Sequence, residues 1–142
     1  MSAAMNDADR LTHLIVEFYE KLSSWEHCVV RGKGLTLPQM HTIEILGAHG
    51  PMRMKELAEK MGVTTGTLTM QVDRLESRGL ARRMPHERDR RSWLVELSEK
   101  GRSYFEEHDK LHQRLTLELT EALSNEERAA VLSALEKMNK RF

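Results

Sequence analysis

Two histidines in the C-terminal third of the chain, His108 and His112, are the side chains best suited to metal chemistry. They stand four residues apart in the stretch EEHDKLH (106–112), with a carboxylate on either side of the first. In a helix, residues four apart share a face, so both imidazoles would point the same way. Such a pair can hold a divalent metal, but it also fits a solvated charged face. Deciding between the two requires the elements that position the pair.

The composition predicts a single helical domain. The chain has 142 residues, of which 31% are charged and 5% aromatic, with nine Met; this suits helices packed through Leu, Val and Met. No stretch approaches the roughly 20 apolar residues that span a bilayer, and the N-terminus lacks the parts of a signal peptide, so no membrane partner is expected. The single cysteine, Cys28, cannot form a disulfide within the chain, which indicates a cytoplasmic location.

Positive charge is concentrated in the middle of a chain whose net charge is zero. Residues 74–91 contain seven arginines, no lysine and three acidic side chains, a local net charge of +4. Arginine can form bidentate hydrogen bonds to phosphates and base edges, so this patch favours a nucleic-acid partner. A solvated surface without a partner is the alternative.

The stretch MKELAEKMGVTTGTLTMQVDRLESRGL (54–80) predicts a helix-turn-helix. Apolar residues at helical spacing indicate two short helices, and Gly62 stands at the turn between them. Either Thr64 or Thr65 can cap the second helix, and Gly79 ends it. The second helix of such a pair can enter a major groove.

Two short strands, 80–84 and 91–97, are predicted after this helix, around the polar loop PHERDR. An arginine-rich hairpin in this place is typical of a wing that reaches a minor groove or the DNA backbone. A plain hairpin that covers the core is the alternative, and it would leave the arginines unexplained.

Amphipathic helices are predicted on both sides of this region. One spans about 7–29, a second begins at the capping box TLPQ (36–39), a third begins at Ser98, and the last begins at the capping box SNEE (124–127). The first helix and the last two do not belong to a minimal winged helix, and their apolar stripes need a partner, so a symmetric dimer with interleaved terminal helices is predicted. Two recognition helices in such a dimer would address a palindrome.

Over essentially its whole length the chain resembles the MarR family of bacterial transcriptional regulators. The matching segments are LTLPQMHTIEIL (35–46), MKELAEKMGV (54–63), TTGTLTMQVDRLESRGL (64–80), RRMPHERDRRSWLVELSEKG (82–101) and the final SNEE helix. The resemblance implies a mainly α fold, a winged helix-turn-helix of the order α1-α2-α3-α4-β-wing-α5-α6. It implies a single MarR-type chain over 1–142, with dimerisation helices at 7–35 and 98–142 and a DNA-binding region at 36–97.

The resemblance also implies a transcriptional regulator, usually a repressor, that binds a palindromic operator on double-stranded DNA as a homodimer and responds to a small effector. Carried across by position, the DNA-binding residues are Thr64, Thr65, Thr67, Gln71, Arg74, Arg88, Arg90 and Arg91. Their hydroxyl, amide and guanidinium groups suit phosphates and base edges. Arg90 or Arg91 would enter the minor groove, and Asp89 would hold one wing arginine through a salt bridge.

Zinc-sensing members of this family share a histidine pattern with the chain. They carry Glu-Glu-His-x-x-x-His in α5, Gln-Glu-His in α2, and a Glu and a Cys near the end of α1. By this resemblance the candidate metal ligands are His41, His108, His112, Glu107, Glu26, His27 and Cys28. They could supply a tetrahedral zinc shell, although Met40 replaces a carboxylate and Glu20 is an alternative to Glu26. No cofactor is required by the fold, and zinc is the candidate metal.

Several alternatives stay open at this point. The commoner behaviour in the family is an aromatic or amphipathic effector bound between the dimer helices and the winged domain. Cys28 could act as a thiol redox switch, although a buried small apolar role is the simpler interpretation. A protein-interaction module without DNA binding is a further alternative. The chain has no G-x-S-x-G, no phosphate loop and no HExxH, so it is not expected to be an enzyme.

Overall fold

The computed structural model describes residues 6–89 and 92–142, and Arg90 and Arg91 therefore lie outside the described residues. Its elements are α1 (Asp7–Gly32), α2 (Leu37–His49), β1 (Met52–Arg53), α3 (Met54–Met61), α4 (Thr65–Ser77), β2 (Ala81–Pro85), β3 (Trp93–Leu97), α5 (Glu99–Thr120) and α6 (Asn125–Asn139). The predicted fold class, a mainly α winged helix-turn-helix, is confirmed by this order.

A three-stranded antiparallel sheet of order β1-β3-β2 forms the wing. The register pairs Ala81 with Leu97 in the wing hairpin and Met52 with Val95 at the other edge. Strand β1 was not predicted. It contains two residues, which is too few for an alternating apolar pattern to show.

Side-chain caps define where the helices begin. At α2, the Gln39 amide nitrogen lies 3.4 Å from the Thr36 hydroxyl oxygen, and the Thr36 amide donates back to Gln39 Oε1 at 3.1 Å. The predicted capping box at Ser124 is also present. At α4 the hydroxyl of Thr64 accepts from the Thr67 amide at 3.2 Å, so Thr64 rather than Thr65 is the cap.

Left-handed glycines end both helices of the helix-turn-helix, as predicted. Gly62 follows α3 with φ of +67° and Gly79 follows α4 with φ of +69°. In both cases the amide of the next residue bonds back to the helix, from Val63 to the Ala58 carbonyl and from Leu80 to the Leu75 carbonyl. These bonds pair carbonyls that have no partner within the helix, and they end each helix at its turn.

The chain forms two compact units, which divide within α5 after Arg102. The first unit contains α1 to α4, the sheet and the first turn of α5. Its core is made of apolar side chains that are at most 1% exposed: Met40, Ile43, Leu46, Leu57, Leu68, Val72, Leu75, Leu80 and Val95. These residues hold α4 against α2, α3 and the sheet.

The second unit contains the rest of α5 and all of α6. Among the described residues of α6 none is buried, and its apolar side chains Val131, Leu132, Leu135 and Met138 are 42–63% exposed. No helix in the described part of the chain is long and apolar enough to cross a membrane. The predicted division at 7–35, 36–97 and 98–142 stays a prediction.

Candidate nucleic-acid interface

Helix α4 places one face in the core and leaves the other exposed. Leu68, Val72 and Leu75 are fully buried, which fixes the rotation of the helix about its axis. The opposite face presents exposed side chains: Thr65, Thr67, Met70, Asp73 and Arg74. These groups have the size and polarity of a surface that reads DNA in a major groove.

Thr64 and Thr67, two of the threonines predicted to contact DNA, bond to each other in the N-terminal cap of α4. The Thr64 hydroxyl accepts from the Thr67 amide and donates to the Thr67 hydroxyl at 3.1 Å. The Thr65 carbonyl accepts from the Thr69 hydroxyl at 2.8 Å. The cap orients the first turn of α4, where the positive end of the helix dipole suits a DNA phosphate.

Gln71 differs from its neighbours in the predicted DNA-binding set. It is half-buried, and its Oε1 atom is buried without a hydrogen-bond partner among residues 6–89 and 92–142. The position follows from helical spacing, because residue 71 lies beside Leu68 and Leu75 at the edge of the core face. This geometry does not present Oε1 to solvent, whereas a bidentate contact with adenine requires both Oε1 and Nε2 of the amide.

Of the five arginines in 74–91 that the structure describes, three make side-chain contacts within the protein. Arg82 pairs with Glu96 across the hairpin, and Arg83 pairs with Asp73 on α4. Arg78 donates to the Gly34 carbonyl at 2.8 Å. The arginine-rich segment is therefore not only a recognition surface, which corrects the interpretation drawn from its charge.

Arg83 joins the wing to the recognition helix. Besides its bond to Asp73, Arg83 forms an ion pair with Glu76, in which Nε lies 3.3 Å from Oε1. Its Nη2 also donates to the Thr69 carbonyl at 3.2 Å. All three partners belong to α4, whereas Arg83 belongs to β2. The orientation of the wing is thus tied to the helix beside it.

The wing loop is built around His86 and Asp89. The His86 Nδ1 atom accepts from the Arg88 and Asp89 amides at 3.2 and 3.3 Å. The Ser92 amide donates to the Asp89 carbonyl at 3.0 Å, and the Ser92 hydroxyl lies 3.2 Å from Asp89 Oδ2. Arg88 is exposed. The predicted roles of Arg90 and Arg91, and their salt bridge with Asp89, fall outside the described residues and stay predictions.

A cavity of about 530 Å³ in the first unit is lined by two of the predicted metal ligands, Glu26 and His41. A second carboxylate, Glu44, lines it as well and was not predicted. The sequence could have indicated Glu44, because it stands three residues after His41 on one helix and therefore shares its face. The remaining walls are largely apolar and come from Tyr19, Leu22, Leu37, Pro38, Met61 and Val63.

Other members of the predicted ligand set lie elsewhere on the surface. His27 and Cys28 on α1 are exposed, as is Glu107 on α5. The expectation that Cys28 is a buried small residue is therefore wrong. It stands near the C-terminal end of α1, two residues before the buried Val30, on a different face of the helix.

In the second unit, His108 and His112 share one face of α5 as predicted. Their Nε2 atoms lie 3.1 Å apart, and the rings meet edge to face with centroids 4.7 Å apart. His108 is 1% exposed. In a tetrahedral zinc site with Zn–N distances of about 2.0–2.1 Å, two nitrogen ligands lie about 3.3–3.4 Å apart, so the pair has near-chelating geometry.

Comparison with known proteins agrees with this architecture. The MarR family pattern matches residues 35–93. The HTH-type transcriptional regulator YfiV of Bacillus subtilis is 38% identical over 102 residues, which cover 71% of this chain and 63% of YfiV. The chain thus spans less than two thirds of that relative. Because the matched relatives are regulators, the prediction that the chain is not an enzyme is confirmed by its relationships.

Solved structures extend the similarity along nearly the whole chain. A MarR family protein from Bacillus stearothermophilus is 28% identical with a TM-score of 0.87, covering 97% of this chain and 98% of its own. FabT of Streptococcus pneumoniae, solved in complex with DNA, is 26% identical with a TM-score of 0.86, covering 94% and 96%. With its family pattern running from α2 through the recognition helix into the wing, and with its fold shared by these structures, the chain belongs to the MarR family.

Proposed function

We propose that this chain is a transcriptional regulator that binds a palindromic operator as a homodimer, acts mainly as a repressor in the cytoplasm, and responds to a small effector. The observation that carries the proposal is the exposed face of α4 next to a wing that Arg83 ties to the same helix. The related FabT has been solved with DNA, which supports this use of the fold.

In this proposal Thr65, Thr67 and Arg74 face the major groove and Arg88 follows the DNA backbone. Arg90 or Arg91 enters the minor groove from the wing. Thr64 acts through its cap, and Gln71 contributes only if its side chain rotates outward. Phosphate contacts by these arginines would make DNA binding fall steeply with salt.

Unpartnered apolar faces support the homodimer. On α1, four large side chains are 45–58% exposed: Leu11, Leu14, Ile15 and Phe18. Helix α6 has a comparable face. Contiguous exposed apolar surface of this kind is typical of an interface, and a second copy of the chain would bury it by symmetry.

Selection of duplexes from a random pool, followed by titration at several salt concentrations, tests DNA binding. We expect enrichment of a palindrome, and a strong loss of affinity with a flatter salt dependence when Arg90 and Arg91 are both replaced by Ala. Arg82→Ala is the matched control, since this arginine pairs with Glu96 in the same hairpin. Failure to enrich any duplex would reject the proposal, and unchanged affinity in the double variant would reject the role of the wing in DNA binding.

A transition metal, zinc first, is one candidate effector, and the His108–His112 geometry favours it. Metal content of protein purified without chelator should be stoichiometric in the wild type and lost in His108→Ala. His13→Ala is the control, because His13 bonds to its own helix at the Asp9 carbonyl. Metal content is also measured in His41→Ala, Glu26→Gln and Glu44→Gln, and a loss of metal in a variant identifies that side chain as a further ligand. Sub-stoichiometric metal in the wild type would end this candidate.

An organic effector is the second candidate, favoured by the cavity beside Glu26, His41 and Glu44. Apolar walls with a few polar groups are the usual lining of a small-molecule site. Two carboxylates would suit an amphipathic ligand that carries a positive charge. Replacing Leu22 by Trp fills this cavity, and we expect it to abolish the response to such a ligand while metal content is unchanged.

A further inference from the structure

We propose that Arg78 is a positioning residue for DNA recognition, which fixes the C-terminal end of α4 to the turn after α1. This inference rests on the proposed DNA-binding function. It assigns to Arg78 a role different from that of Arg74, one turn earlier on the same helix, although both are arginines in the same positively charged segment.

The Arg78 guanidinium is committed to two backbone carbonyls. Nη1 donates to the Gly34 carbonyl at 2.8 Å and Nη2 donates to the Lys33 carbonyl at 3.3 Å. Lys33 caps the C-terminal end of α1, and Gly34 follows with φ of +69°. A cation is favoured at the negative end of a helix dipole, where carbonyls lack helical partners.

The backbone of Arg78 is held from the other side by the start of α5. Lys100 Nζ donates to the Arg78 carbonyl at 3.3 Å, and the Ser98 hydroxyl donates to the Gly79 carbonyl. The Ser98 amide donates to the Leu80 carbonyl at 3.0 Å. The end of α4 is therefore fixed by the start of α5 through its backbone and by the end of α1 through the Arg78 side chain.

This anchor lies at the opposite end of the helix from Thr65. Helix α4 has 13 residues and is about 20 Å long at 1.5 Å per residue, so a tilt of about 5° about one end moves the other end by about 1.7 Å. Such a displacement breaks direct hydrogen bonds to base edges, which tolerate only a few tenths of an ångström. Phosphate attraction is long-ranged and is much less sensitive to it.

Direct DNA contact by Arg78 would have a different signature. A phosphate contact contributes to every duplex, and its removal lowers the slope of log affinity against log salt by about 0.9. A positioning contact contributes only where base edges are read. Loss of Arg78 should therefore weaken binding to the selected palindrome without changing binding to unrelated DNA or the salt slope.

Full-length Arg78→Gln and Arg78→Lys proteins test this inference, with Arg74→Ala for comparison. Each is titrated with the wild-type-selected palindrome and with a scrambled duplex of equal composition, after its folded fraction is measured by circular dichroism. We expect Arg78→Gln to lose about tenfold in affinity for the palindrome and to change less than about twofold for the scrambled duplex. Arg78→Lys should recover part of the loss, because a lysine can reach one carbonyl but cannot fork onto two.

Three outcomes would overturn the inference. Equal losses on both duplexes with a reduced salt slope would make Arg78 a phosphate contact. Equal losses that follow the folded fraction would make it a contributor to stability alone. Unchanged affinity of Arg78→Gln for the palindrome would show that Arg78 has no role in DNA recognition. If wild-type protein binds neither duplex, the proposed function fails first, which is a distinguishable result.

Discussion

Gly101 lies so close to Leu80 that a Cβ atom built on it would stand 1.9 Å from the Leu80 carbonyl oxygen. Gly101 is buried in the first turn of α5, and its amide donates to the Ser98 hydroxyl at 3.0 Å. The same Leu80 carbonyl accepts from the Ser98 amide. The glycine of the stretch Leu97–Gly101 is thus required by the close approach of α5 to the end of α4.

Gly101→Ala should strongly destabilise the protein. The added methyl group meets backbone atoms that cannot rotate away, so the start of α5 must shift, and we expect a loss of about 3 kcal/mol in the free energy of unfolding. Gly32→Ala is the control, since among the described residues an added Cβ there would meet no atom within 4 Å apart from its chain neighbours and its own helix backbone. Urea unfolding of both variants measures the difference, and equal midpoints would show that the helix junction yields more easily than its geometry indicates.

The capping box of α6 predicts a pH dependence with a definite sign. The Ser124 amide, which donates to Glu127 Oε1 at 3.0 Å, and then the Ser124 hydroxyl lower the pKa of Glu127. A carboxyl with a lowered pKa in the folded state stabilises the protein fully above its unfolded-state pKa. That contribution is lost as the pH falls through the folded-state pKa. A carbon-13 titration should place the Glu127 midpoint below that of glutamate in an unfolded peptide; a midpoint at or above that value would contradict the cap.

The ion pair between Arg83 and Asp73 should couple the wing to the recognition helix energetically. Arg83 is 26% exposed and Asp73 58% exposed, so a double-mutant cycle with Arg83→Gln and Asp73→Asn should give roughly 0.5–1 kcal/mol, decreasing in high salt. Arg82 is 66% exposed and pairs across the hairpin with Glu96, so its cycle is the matched control. DNA affinity should fall in the Arg83 variant more than in the Arg82 variant. If the losses of stability in Arg83→Gln and Asp73→Asn simply add in the double variant, the ion pair does not couple the wing to α4.

Features with a local cause could be predicted from the sequence. The capping boxes at Thr36 and Ser124, and the glycine stops at 62 and 79, depend on residues three to five positions apart, and the structure has all four. Apolar spacing likewise predicted the helices. The winged helix-turn-helix follows from these signals in order.

Features that depend on distant contacts could not be predicted in this way. Arg78 and Arg83 look alike in the sequence, yet one bonds carbonyls 44 and 45 residues away and the other pairs with carboxylates on α4. The exposure of Cys28 depends on the rotation of α1, which its own apolar spacing left ambiguous. Residue type indicates which bonds an arginine can make, whereas only the fold decides which partners are within reach.

Gln71 offers the sharpest test of the predicted reading surface, because its burial and its predicted role conflict. Gln71→Leu removes an acceptor that is buried without a partner among the described residues, and we expect it to stabilise the protein by about 1 kcal/mol. Affinity for the selected palindrome should stay within about twofold of wild type, since the buried Oε1 atom is not available to contact a base. Arg74→Ala, on the exposed face of the same helix, should lose affinity markedly. A loss in Gln71→Leu as large as that of Arg74→Ala would show that Gln71 turns outward and reads a base in the complex.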